Sequence, residues 1–295
     1  MGVFDKIRDV LGGTARLNVN ERFEVLRAAV SGTMSKFYMA RERATGDIYG
    51  LKIADREKVD LFENRFKGLK KPSEGEIAAQ INHPLVVKTY EHGLTTDGIG
   101  YVLMEFVGGS VLQTLVYNKE PKIIGNRLKL VRQMAEAIAA VHKSGFIHRD
   151  VCPRNFICTD ATASDLKLID FGLTLPALRP FMQPGNRTGT PLYMAPEVIR
   201  RRWTDQRLDI FAFGVTAYHI CTFELPWPVS ETSGLAALDH DTKEPKDIFD
   251  LNVDLHRTLG KAIMRCIEPD VNKRTASMEV FLQQIRRVES ELETK

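Results

Sequence analysis

Residues 148–155 read HRDVCPRN, residues 170–172 read DFG, and residues 189–197 read GTPLYMAPE. Their order and distances decide the fold. Asp150 and Asn155 stand five apart in the first motif, so one short loop carries a carboxylate and an amide oxygen. Asp170 follows the strand pattern LKLI, and Lys52 ends another strand pattern, YGLK. Phosphoryl transfer asks little covalent chemistry of a protein. It needs phosphates held in line, divalent metal to spread their charge, and a carboxylate to orient the attacking hydroxyl. Hard oxygen donors such as Asn155 and Asp170 are the ligand type Mg²⁺ demands.

Working outward, the 295 residues are 27% charged and 43% hydrophobic, which suits one large folded unit or two modest lobes. A net charge of +3 leaves no electrostatic footprint for nucleic acid. The basic run Arg200, Arg201 and Arg202 reads as a solvated helix end, with a docking patch as the alternative, since adjacent residues point in different directions around a helix. Cys152, Cys158, Cys221 and Cys266 form no CxxC pair and no metal-ligand spacing, which fits a reducing compartment and a cytoplasmic location. The apolar stretch from Ile210 to Phe223 is too short, and too interrupted by Gly214 and His219, to span a bilayer. No secretory segment opens the chain, and Lys6 stands where an acylation motif wants Ser or Thr. The expected picture excludes nucleic-acid binding and an integral membrane segment.

Residues 3–11 place Val3, Phe4, Ile7, Val10 and Leu11 on one helical face, ended by Gly12 and Gly13. This helix is expected to dock on the body, the alternative being a surface for a regulatory partner or a membrane. From Phe23 to Ile53, β-branched and aromatic runs broken by SGT (31–33) and TGD (45–47) predict three antiparallel strands. Residues 57–81 read as helical, split at Pro72, with SEGE (73–76) forming a capping box of Ser73 and Glu76. Strands are predicted at 86–91 and 101–106, and helices at 111–117, 124–144, 208–223, 254–267 and 276–291. A strand-rich third followed by a helix-rich remainder implies an α+β fold of two unlike lobes joined near 105–109. The expected division is a helical extension (1–20), a small lobe (21–107) and a larger, mainly helical lobe (108–295), with a small ligand bound between the lobes. After the last helix the chain has no room for a sensor domain, so regulation is expected from the N-terminal helix, the segment after DFG, or a partner.

Over residues 21–291 the chain resembles a protein kinase domain of the serine/threonine type, on HRDxxxxN, DFG and APE in that order. The resemblance implies Mg-ATP as the phosphoryl donor and a protein substrate as acceptor. It makes Asp150 the catalytic base, Asn155 and Asp170 the metal ligands, and Lys52 the residue gripping the phosphates. Lys52 should pair with a helix glutamate; counting back from His83 and Pro84 gives Glu74. Glu76 is the rival, but residues two apart on a helix face nearly opposite ways and the capping box employs Glu76. Met104 aligns with the gatekeeper, the backbone of Glu105 and Val107 with the adenine contacts, and Ile157 with the pocket floor. Glu197 with Arg274 resembles a buried ion pair, and Asp209 an acceptor bracing the HRD backbone. Arg149 resembles the arginine that receives an activating phosphate, with Thr188 as the candidate site. Thr190 is expected to support substrate docking near Asp150.

Two departures stand out. The glycine-rich loop aligns Val30, Gly32 and Ser35 with a GxGxxG pattern, and only one glycine remains. Phe37 replaces the usual valine above the adenine, while Gly50 replaces the usual alanine, so the changes are expected to offset in volume with Phe37 over the base. Cys152 stands where a lysine usually neutralises the transferring phosphate, and Arg154, two residues on, is expected to supply that charge, an arrangement that resembles receptor tyrosine kinases. The reading is an ATP- and Mg²⁺-dependent serine/threonine protein kinase. The alternative is a pseudokinase that serves as a binding scaffold. Retention of Lys52, Asp150, Asn155 and Asp170 favours the enzyme, and GTPLYMAPE, which builds a peptide platform, argues against a small-molecule kinase.

Overall fold

Alternation of side chains along two central strands divides one small sheet into a structural face and a functional face. The computed structural model describes residues 16–27, 30–227 and 238–293, so the helix expected at 3–11 lies outside the described residues. After a one-turn helix α1 (Val19–Arg22) come β1 (Phe23–Val25), β2 (Val30–Ser31), β3 (Ser35–Glu42) and β4 (Ile48–Ala54). Helices α2 (Arg56–Glu63) and α3 (Glu74–Ala78) follow, then β5 (Thr89–Leu94) and β6 (Gly100–Glu105). The antiparallel order is β1-β3-β4-β6-β5, with β2 added to β3. Because successive residues face opposite ways, Leu51, Ala40, Leu103, Tyr101 and Phe23 share one face and form a buried core with Leu17. The cross-strand partners Phe37 and Lys52, Lys52 and Val102, and Gly50 and Met104 share the other.

Chain contacts assign Lys88–Phe106 to this smaller unit but Gln80–Val87 to the larger one, together with Val107 onward. The strand predicted at 86–91 accordingly starts later, at Thr89. The reason is non-local: Val87 N–H donates to Leu168 O at 2.9 Å and Leu168 N–H to Leu85 O at 2.8 Å, so Val86 and Val87 pair within the larger unit.

The larger unit begins with β7 (Ser110–Val111) and α4 (Leu112–Tyr117), then α5 (Arg127–Lys143) and β8 (Phe146–Ile147). The short strands β9 (Phe156–Cys158), β10 (Leu166–Leu168) and β11 (Leu175–Pro176) carry the loops of interest. Gly109 precedes β7 at φ 138°, and a Cβ there would lie 2.0 Å from Cys158 O, so only glycine fits this approach. Further α-helices follow among the described residues: α6 (Pro196–Ile199), α7 (Arg207–Thr222), α8 (Asp239–Thr242), α9 (Ile248–Leu251) and α10 (Arg257–Cys266). The last is α11 (Met278–Gln284). Helix α7 is buried on nearly every side, as its all-round apolar sequence demands. Arg274 clamps Glu197 through paired bonds of 2.7 and 2.9 Å, both side chains buried. All four cysteines are free and buried. No helix among the described residues is long and apolar enough to cross a membrane.

The helix predicted at 276–291 stops at Gln284. Acidic residues beyond it are recruited elsewhere: Glu291 accepts from Gly125 N–H at 3.0 Å and Arg127 N–H at 2.8 Å, satisfying donors at the start of α5. Glu293 accepts from Arg257 N–H at the start of α10, and Leu255 pairs with Leu292 in an antiparallel bridge. An extended tail therefore caps two helices at once.

Glu291→Ala should lower the unfolding free energy by about 2–4 kcal/mol, since it strands two N–H donors and removes the carboxylate 3.7 Å from the buried Arg127 guanidinium; chemical denaturation measures it. A second expectation concerns acid. Burial pushes the His219 imidazole down to about 4, and burial also lowers His240 despite its bond to Met194 O. The fold favours both neutral forms, so their stabilisation is complete above the ordinary value of about 6.5 and drains as pH falls towards 4. Melting temperature should drop across that window, and His219→Gln should flatten part of the decline.

Candidate active site

In the smaller unit, Lys52 sits on the central strand β4 and its Nζ contacts Glu74 Oε1. Glu74 is the first residue of α3. Just before it, Ser73 caps the helix: its Oγ accepts from Glu76 N–H at 3.3 Å, while Glu76 Oε2 accepts from Ser73 N–H at 2.7 Å. The Ser73 N–H bond, with a second from Ser73 Oγ–H to the same Oε2 at 2.8 Å, holds the Glu76 carboxyl below its ordinary range. Glu74 thus meets the lysine and Glu76 serves the cap.

On the same sheet face Phe37 packs beside Gly50 and stacks on Phe106, ring centroids 6.5 Å apart. A Cβ at Gly50 would lie 2.8 Å from Phe37 Cε2 and 3.1 Å from Met104 Cγ. The ring occupies the volume that the glycine vacates. In the β2–β3 hairpin Val30 pairs with Phe37, and Gly32 N–H is committed to Ser35 O at 2.8 Å. Ser35 is only 3% exposed, so its hydroxyl is turned inward rather than offered to a ligand. Met104 is buried on β6, and Glu105 ends that strand with its N–H bonded to Lys88 O.

In the larger unit a loop between β8 and β9 carries the HRD motif. Asp209, fully buried in the first turn of α7, accepts from His148 N–H and Arg149 N–H, each at 2.7 Å. Burial alone would raise this carboxyl, but the His142 ring at 2.9 Å and the backbone donors hold it below its ordinary value. That anchor sustains Arg149 at φ 69°, a left-handed conformation unfavourable for a long side chain.

The next residue is Asp150. Its Oδ1 accepts from Thr190 N–H at 3.0 Å and Thr190 Oγ1–H at 2.7 Å. Its Oδ2 accepts from Arg154 Nη2–H at 2.7 Å and Asn155 Nδ2–H at 3.0 Å. Cys152 is buried against Thr190, Sγ to Oγ1 3.6 Å, and burial with the nearby Asp150 charge pushes its thiol up to about 12. It is no nucleophile. Arg149 Nη2–H donates to Asn186 O at 3.1 Å, and Thr188 Oγ1–H to Asn186 Oδ1 at 3.1 Å, so one asparagine joins both. Ile157, at the middle of β9, pairs with Val111 and Lys167. Val107 opens this unit's second segment.

Asp170 lies at φ 68°, its Oδ1 accepting from Gly172 N–H at 3.0 Å, with Phe171 buried against the His148 ring. Asn155 spends its Nδ2–H group on Asp150 O and Oδ2, which leaves the amide oxygen as the atom able to ligate. A carboxylate and an amide oxygen fit Mg²⁺, which takes few protein ligands and completes its shell with phosphate and water. No cluster of three or more His, Cys, Asp or Glu suited to a metal occurs among the described residues.

The protein kinase domain family matches residues 23–285. The chain belongs to the protein kinase family. Among curated relatives, serine/threonine-protein kinase Pkn2 of Myxococcus xanthus is 31% identical over 275 residues, 88% of this chain and 32% of that protein. Pkn3 of the same organism is 28% identical over 278 residues, 88% of this chain and 48% of that protein. Serine/threonine-protein kinase PknB of Mycobacterium tuberculosis is 28% identical over 244 residues, 79% of this chain and 37% of that protein. The chain spans a third to a half of these relatives' length.

Sequence reading did not anticipate His142 or Asn186. His142 is 67 residues from Asp209 and no local pattern links them. Gly50→Ala should cost about 1–3 kcal/mol of stability by overpacking, and Phe37→Val in that background should restore most of it. Additive losses in denaturation would disprove the fit between ring and glycine. Phe37→Val alone should shift nucleotide affinity in a titration.

Proposed function

We propose that this chain transfers the γ-phosphoryl group of ATP to serine or threonine hydroxyls of protein substrates. The observation that carries the reading is the Asp150 carboxylate, oriented by Asn155, Arg154 and Thr190 within a loop anchored from beneath by Asp209. Asp150 accepts the hydroxyl proton as the substrate oxygen bonds to the γ-phosphorus and the bond to the ADP oxygen breaks. Lys52, steadied by Glu74, grips the phosphates. Asn155 and Asp170 are the residues that would hold Mg²⁺, which when bound draws charge from the phosphate oxygens. The backbone of Glu105 and Val107 addresses the adenine, with Met104, Ile157 and Phe37 around it. In the glycine-rich hairpin, Gly32 supports the phosphates in a weaker form than GxGxxG.

Arg154 supports the charge argument. Cys152 is 1% exposed and packed on Thr190, so this position has no space for an extended ammonium, whereas the Arg154 guanidinium lies 2.7 Å from the base. Arg154 thus offers positive charge beside the reacting oxygens. Thr190 supports an aliphatic hydroxyl as acceptor by fixing the second carboxylate oxygen. Thr188, joined to Arg149 through Asn186, is the proposed regulatory phosphorylation site, where an added phosphate would find the Arg149 guanidinium.

Turnover of radiolabelled ATP on a generic protein substrate tests this. Asp150→Ala should lower the rate by about 10²–10⁴-fold and Arg154→Ala by about 100-fold. Undiminished labelling in Asp150→Ala would reject the kinase reading. A large gain from Cys152→Lys with no loss from Arg154→Ala would move the missing charge back to position 152.

A further inference from the structure

Helix α3 is five residues long, Glu74–Ala78, and carries the lysine's partner at its first position. The first residue of so short a helix would ordinarily fray, because its backbone N–H lacks an intrahelical acceptor and nucleation is costly. Two independent features counter this. One is the reciprocal capping box of Ser73 and Glu76, which brackets Glu74 on both sides in sequence. The other is Gly75. It is buried, and a Cβ there would lie 2.3 Å from His92 Cβ and 2.7 Å from His92 Cγ on β5.

Glycine is a poor helix former, so its place inside this short helix needs a reason. Its φ is not left-handed, and the reason is therefore proximity rather than conformational freedom. The atom it would strike is a Cβ fixed to the strand backbone, which cannot swing aside as a side-chain tip can. Carbon atoms settle at about 3.5–4.0 Å, so an added methyl would push α3 off the sheet by roughly 1 Å. His92 is the cross-strand partner of Val102, which is in turn paired with Lys52. The seat of the helix and the seat of the lysine thus lie in one cross-strand row of the same sheet.

We infer that Ser73 and Gly75 are positioning residues that build the Lys52–Glu74 contact into the smaller unit, through the cap and the close helix-to-strand approach. Neither touches substrate. The inference rests on the reading of Lys52 and Glu74 as the phosphate-gripping pair. It assigns the SEGE segment a catalytic consequence that a cap serving stability alone would lack.

A double-mutant cycle separates the two. Gly75→Ala should lower kcat/KM by about 100-fold, the scale of a 1 Å misplacement, with most of the loss in kcat. In a Glu74→Ala background the same substitution should change kcat/KM by less than about twofold, since the residue it positions is gone. Ser73→Ala should behave alike at about tenfold, with Ser73→Thr restoring the rate because threonine also caps. Ser73→Ala is a surface change and keeps the test available if Gly75→Ala fails to melt cooperatively. Equal losses with and without Glu74, or wild-type rates in Gly75→Ala and Ser73→Ala, would overturn the inference. Full activity of Glu74→Ala would remove the pair's role, and the inference with it.

Discussion

The buried carboxylate of Asp209 is the constraint around which the larger unit is organised. A charge this deep survives only with its donors in place, and two of them are the backbone N–H groups of His148 and Arg149. The pairing fixes the loop in a conformation that Arg149 would not choose, at φ 69°. From that strained turn Asp150 emerges, and its remaining bonds to Thr190, Arg154 and Asn155 follow from where the turn leaves it. Removing Asp209 would release backbone strain and lose the orientation of the Asp150 carboxylate together, so stability and the proposed chemistry are joined at one side chain.

The smaller unit solves a different problem with different means. It must hold a lysine at the centre of a twisted sheet without a water-exposed escape. Lys52 is 6% exposed, and an ammonium so enclosed is stable only beside a carboxylate. The sheet's alternation supplies the place, and a capped helix supplies the charge. Phe37 and Gly50 show the same economy of volume: a larger ring on one strand is matched by a missing methyl on its neighbour. Degeneration in the glycine-rich hairpin is therefore accompanied by repacking, which is what a maintained site requires.

Local signals were legible in the sequence, and non-local ones only where the family resemblance supplied them, as for Glu197 with Arg274 and for Asp209 beneath the HRD loop. The capping box at 73–76 was readable because all its partners lie within four residues. Glu74 over Glu76 followed from the same local logic. By contrast, the strand expected from Val86 misjudged its start because Leu168 competes for that backbone, and nothing near residue 86 announces it. The final helix was drawn too long because Glu291 is a good helix former in isolation, yet the start of α5 recruits it. Nothing local accounts for Gly75, whose close approach is to His92 on another strand. The ordered motifs fixed the family, while Asn186 and His142 needed coordinates to reveal what they join.

The four cysteines carry a practical consequence. Each is buried, and burial pushes the thiols of Cys158 and Cys152 up to about 11 and about 12, with Cys221 and Cys266 likewise at about 12. Thiolate is the reactive form, so maleimides and mild oxidants should find little to attack while the fold is intact. The folded protein thus comes with a chemically quiet background. A single cysteine introduced on an exposed loop would take a fluorophore or spin label selectively, without first deleting the native ones. Alkylation of the native thiols would in turn report unfolding directly, residue by residue.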